Sequence, residues 1–157
     1  MKQVTVIALM VLLAGALSPS AGAMTDETRA KELQRERAKL QKETDPVDRA
    51  KIGVKISDIL MEDVGDAVRR GNLADMEMQL TAYLETIESA HQALLDSGRD
   101  AAKKPSGFKE LEIALRQHVR QFDELSRMLG LQSRVPLDKT KVLATGIRDK
   151  LLKALFP

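Results

Sequence analysis

Residues 46–70, PVDRAKIGVKISDILMEDVGDAVRR, constrain this chain more than any other stretch, because they read as one long helix with two apolar arcs. Stepped at about 100° per residue, Val47, Ala50, Val54, Met61, Val64 and Val68 fall on one arc. Ile52, Ile56, Ile59, Leu60 and Ala67 fall on nearly the opposite one. Lys51, Lys55, Asp58, Glu62, Asp66 and Arg69 crowd the sector between, while Arg49 and Asp63 intrude on the second arc. A helix so patterned needs cover on two sides. Ala50, Gly53, Ser57 and Gly65 place small residues on or beside the first arc. An interior glycine costs a helix about 1 kcal/mol relative to alanine, so close approach by a neighbouring backbone is expected there.

The chain starts with Met1-Lys2-Gln3, the apolar run from Val4 to Leu17, and then Ser18 to Ala23 with a small-x-small end. That order is the pattern of a secretory signal peptide, residues 1–23, cleaved after Ala23. An uncleaved anchor is the competing reading, but the run is shorter than the ~20 residues a spanning helix needs. With no cysteine in the chain, neither a lipidated cleavage site nor a disulfide is available. The expectation is an exported protein, periplasmic or secreted, held together by packing alone. Its net charge of +2 falls by one when Lys2 is removed. Basic residues alternate with acidic ones and lack interleaved aromatic residues, so nucleic acid is not an expected partner.

Residues 24–45 are charged and helix-forming, with a thin apolar stripe of Ala30, Leu33 and Leu40. This segment is expected to be a peripheral helix, or an arm that finds a partner helix or a second copy of itself in coiled-coil fashion. Asp45 and Pro46 then open the central helix, and Arg69-Arg70-Gly71 close it. Asn72 caps the next helix, 73–96, whose inner face includes Met76, Leu80, Tyr83 and Ile87. Residues 67–76, AVRRGNLADM, resemble the inter-helix turn of a tetratricopeptide repeat. The resemblance stops at the turn, because both flanking helices are about twice too long and no second copy follows.

A polar linker, Asp96 to Pro105, leads to a fourth helix capped by Ser106 and running to Met128 or Leu129. Arg134-Val135-Pro136 reads as a break before a last helix over about 138–155, with Ala144, Ile147, Leu151, Ala154 and Leu155 inward. The expected fold is all-α: an antiparallel up-down bundle of long helices over 46–157, with a peripheral N-terminal helix. The alternative is an extended three-helix core that dimerises through the second arc of residues 46–70.

No glycine-framed serine, no cysteine and no phosphate loop is present, so an enzyme is not expected. Glu88-Ser89-Ala90-His91 is one Glu-x-x-His, but a di-metal bundle needs two, and Leu115 stands where His118 would want its glutamate. His91 also lies level with about residue 112, six residues or ~9 Å from His118. For haem, Met61 falls level with about residue 121, some three residues or ~4.5 Å from His118. No cofactor or metal is expected, and His118, Met61 and His91 are the ligands to weigh if one binds. The Leu-Thr-x-x-Gln pattern of small periplasmic helical chaperones fails here, because Leu84 follows Leu80-Thr81.

The expectation is therefore a non-enzymatic exported bundle that binds a protein partner or its own copy. Ile52, Ile56, Ile59 and Leu60 are the expected surface if no helix covers them, together with Met78, Leu33 and Leu40. The alternatives are a haem- or metal-binding bundle, and a membrane-surface protein using the chain end RDKLLKALFP.

Overall fold

The computed structural model describes residues 25–157, so the expected signal peptide, residues 1–23, lies outside the described residues. Among the described residues the chain forms α1 (Asp26–Lys42), α2 (Pro46–Arg69), α3 (Leu73–Asp96), α4 (Phe108–Ser126) and α5 (Val135–Leu155), with no strand. Helix α2 packs on α3, α3 on α5, α5 on α4 and α4 on α2, which closes a ring of four. The α3–α4 pair also meets across the middle, whereas α1 packs on α2 alone.

Local chemistry sets these boundaries. The Asp45 carboxylate accepts from the backbone N–H groups of Val47 at 2.9 Å and Asp48 at 3.0 Å, and Pro46 occupies the first turn, where its missing N–H costs nothing. Helix α2 stops at Gly71, whose φ of +67° suits glycine, and Asn72 N–H reaches back to the Ala67 carbonyl at 2.9 Å. The Asn72 side chain then accepts from Asp75 N–H at 3.1 Å and starts α3. Three residues therefore suffice to turn the chain.

Three expected boundaries move. Helix α4 ends at Ser126, short of the expected Met128 or Leu129. Gly107, not Ser106, caps α4: its φ is +86°, and a Cβ there would lie 2.6 Å from Leu94 and 3.4 Å from Val47. Only glycine fits where the linker returns between the end of α3 and the start of α2. The last helix begins at Val135 because Pro136 sits in its first turn, as Pro46 does in α2, and does not break it. Ala154 is exposed, not inward.

Both arcs of α2 are covered, and half of its 24 residues are buried. Gly53 has the expected packing reason, since a Cβ there would stand 3.0 Å from Ala90 of α3. Gly65 does not, because its only near neighbour is the flexible guanidinium of Arg69. The core fills from all four ring helices, with Leu60, Ile87, Leu115 and Leu151 each at most 1% exposed.

Candidate functional site

The densest buried polar chemistry is a chain of hydrogen bonds through three helices. His118 of α4 is 2% exposed, and its Nε2 lies 2.8 Å from Asp58 of α2 while its Nδ1 lies 3.1 Å from the Tyr83 hydroxyl of α3. A carboxylate only accepts, so in the neutral ring Nε2 carries the proton, and Nδ1 accepts from Tyr83. Burial, and then the Asp58 charge, push the Tyr83 phenol well above its usual range. Tyr83 has no exposed surface, and Phe122 sits edge-on to it with ring centroids 5.5 Å apart. The arrangement ties α2, α3 and α4 in register, with Tyr83 and His118 inside and the Asp58 carboxylate half exposed at its outer end.

The same geometry bears on haem. Both nitrogens of His118 are spent within the protein, so an iron ligand there would displace Tyr83 or Asp58. Met61 is 3% exposed and belongs to the core cluster. His91 lies apart, lining a cleft between α3 and α5 with Glu85, Glu88, Val142, Gly146 and Lys150. Burial, helped by the Lys150 charge, lowers its pKa. Among the described residues no group of three or more His, Asp or Glu side chains is arranged to hold a metal ion.

The surface expected on α2 is largely interior. Ile56, Ile59 and Leu60 are 1%, 8% and 0% exposed, and Ile52 is half-buried. Their cover is a helix, so in this fold the arc is core. Met78 is outward at 61% exposure.

What covers the second arc is recognisable from the groups that hold α1. Arg49 donates to the carbonyls of Leu40 at 3.0 Å and Glu43 at 2.7 Å, at the C-terminal end of α1. At the other end, Arg29 donates through Nε to Asp63 at 3.0 Å and through Nη2 to Asp66 and to Asp26, the last at 2.6 Å. Arg49 stands three residues from Ile52, Asp63 four from Ile59 and Asp66 seven from Ile59, so all three share the face of α2 that carries these isoleucines. Helix α1 therefore lies over that arc. The two charges that intrude on the apolar pattern of α2 are its docking points for α1.

The seated face of α1 is Arg29, Leu33, Glu36 and Leu40, spaced by four, three and four residues. Leu33 and Leu40 are half-buried against the core, while Arg29 and Glu36 are 7% and 3% exposed. Ala30, expected on this stripe, is exposed. Glu36 pairs with Lys39 at 2.5 Å and Arg35 at 3.5 Å, and the Lys39 hydrogen bond holds its carboxyl below the usual range. Its Oε2 is buried with no hydrogen-bond partner. The carboxylates around Arg29 shift in opposite directions: burial raises Asp63, whereas Asp66 is lowered because it also accepts from Arg69 at 2.5 Å. Hydropathy alone cannot find this face, because half of it is charged.

Comparison of the chain with protein-family models, with curated proteins and with solved structures found no match.

Proposed function

We propose that this chain is an exported, non-enzymatic protein whose antiparallel up-down bundle binds a partner helix at the seat on α2 that α1 occupies. The partner is another protein or the α1 segment of a second copy. The charged start, apolar run and small-x-small end of residues 1–23 support export with removal of that segment. The observation that carries the binding reading is that α1 packs on α2 alone, through a face of which half is charged. A cover of that kind gains little from apolar burial and exchanges more readily than a core helix. Once α1 is lifted, Ile52 and Ile59 form an apolar strip with Asp63 and Asp66 at one end and Arg49 at the other. A partner suits this seat if it is a helix with an arginine or lysine near its start and apolar residues at four- and seven-residue intervals. The cofactor reading has less support, since His118 keeps no ring nitrogen free.

The experiment is exchange in trans. A labelled peptide of residues 25–45 is titrated into the whole processed protein carrying Arg29→Glu, which repels its own α1 from Asp63 and Asp66. The peptide is expected to bind that variant more tightly than the wild type, whose seat is filled, and a peptide carrying Arg29→Glu is expected not to bind. Absence of binding to a variant shown to be folded by circular dichroism overturns the reading.

A further inference from the structure

A second surface is built from α4, α5 and the linker before α4, and α1 packs on neither of those helices. The linker from Ser97 to Gly107, helix α4 and the end of α5 enclose a groove of about 480 Å³, within the ~300–1,000 Å³ typical of small-ligand clefts. Its apolar lining includes half-buried Ile113, Leu152 and Leu155, with Phe156 at the lip and 76% exposed. An exposed phenylalanine beside half-buried leucines leaves apolar area uncovered at one place.

The charges beside that apolar area are mostly of one sign. Lys109 and Arg116 of α4 and Arg148 of α5 face the groove, against the single acid Glu112. Glu112 is itself 7% exposed and accepts from Arg148 Nε at 3.0 Å, so one cation is neutralised inside the wall. Lys109 has no ion-pair partner among the described residues, and Arg116 keeps only a 3.8 Å contact to Glu112 with its side chain 46% exposed. The groove thus offers an apolar trough beside one unpaired lysine and one arginine held by a single long ion pair.

We propose that this groove binds a single-chain anionic amphiphile, a free fatty acid. Its acyl chain lies along Ile113, Leu152 and Leu155 under Phe156, and its carboxylate meets Lys109 and Arg116. Lys109 and Arg116 stand seven residues, about 10.5 Å, apart along one face of α4, so their long side chains reach toward one head from either end, and charge-assisted hydrogen bonds supply the selectivity over neutral chains. The trough is concave and lined on three sides, which favours one acyl chain over the flat surface of a bilayer. No helix among the described residues is long and apolar enough to cross a membrane. The inference uses no residue of the α1 seat and stands independently of the reading given there.

The test is calorimetric titration of the whole processed protein with dodecanoate, kept below its micelle concentration. A nonionic detergent of the same chain length is the control, and Lys109→Glu with Arg116→Glu and, separately, Phe156→Ser are the variants. These side chains are exposed or at the rim, and melting followed by circular dichroism confirms that each variant is folded. Saturable binding of one dodecanoate, weakened ~10-fold or more by the double charge reversal and less by Phe156→Ser, is expected. Equal binding of the nonionic chain, insensitivity to the charge reversal, or binding only to anionic vesicles overturns the proposal.

Discussion

Arg29 of α1 donates its Nε proton to Asp63 of α2 at 3.0 Å, and the arginine side chain is only 9% exposed although it belongs to the most charged helix of the chain. The pair joins the one helix outside the ring to the helix that most needs covering. Arg29→Gln removes the charge and shortens the side chain by the end of its guanidinium, so Asp63 and Asp66 lose their shared cation. The expected cost to α1 docking is about 1–3 kcal/mol. Trypsin should then cut at Arg35, Arg37 and Lys39 several-fold faster, while melting of the ring changes little. Unchanged cleavage would show that Leu33 and Leu40 hold α1 without Arg29.

The two interior glycines of α2 should respond oppositely to alanine. At Gly53 the added Cβ meets Ala90 at 3.0 Å, and relief requires α2 and α3 to part. Overpacking should outweigh the gain in helix propensity, for a net loss of about 1 kcal/mol. At Gly65 the nearest atoms are the ends of the flexible Arg69 side chain, so alanine should stabilise by about 0.5–1 kcal/mol. Urea denaturation of both variants checks the signs.

Tyr83→Phe removes the hydroxyl that donates to His118 Nδ1 and leaves that nitrogen unpaired in the core. A loss of about 1–2 kcal/mol in urea denaturation is expected, without change of secondary structure. Double substitution with Asp58→Asn should cost less than the sum of the singles, because both act through one ring.

His91 gives the protein a pH dependence above the carboxylate range. Burial, and then Lys150, lower its folded pKa, so the folded state favours the neutral ring, with Glu85 and Glu88 facing the same cleft. Stability is then full above the unfolded value near ~6.5 and is lost as pH falls through it toward the depressed folded value. Lys150→Met removes one of the two causes, so it should raise the His91 titration followed by NMR and shrink the loss between pH ~7.5 and ~5.5. A titration that does not move would show that burial acts alone.

Much of the ring could be read from residue spacing. Asp45, Gly71 and Asn72 marked their boundaries because each supplies a specific backbone bond or φ value that few other residues supply. The same rule that placed Pro46 in a first turn applies to Pro136, and reading Pro136 as a break set the last helix three residues too late. Level counting along the helices put residue 61 near 121. The same relation brings Asp58 to His118, although spacing gives height along a helix and not which side chains turn toward each other. The seat of α1 was the least legible part. Arg49 and Asp63 were visible as charges out of place on an apolar arc, but periodicity reports the face a residue occupies and not the helix that lies over it. On α1 itself, Arg29 and Glu36 count against burial on any hydropathy scale, and the reason Arg29 is inside, its ion pairs with Asp63 and Asp66, lies on another helix.

Whether α1 separates from the ring is measured directly by native-state hydrogen exchange of residues 24–157. The amides of α1 are expected to exchange through a local opening well before those of α2 to α5, and faster still in ~1 M salt, where ion pairs are screened over about 3 Å. If α1 exchanges only with global unfolding and is indifferent to salt, it is a fixed part of the core, and the seat on α2 is not a binding surface.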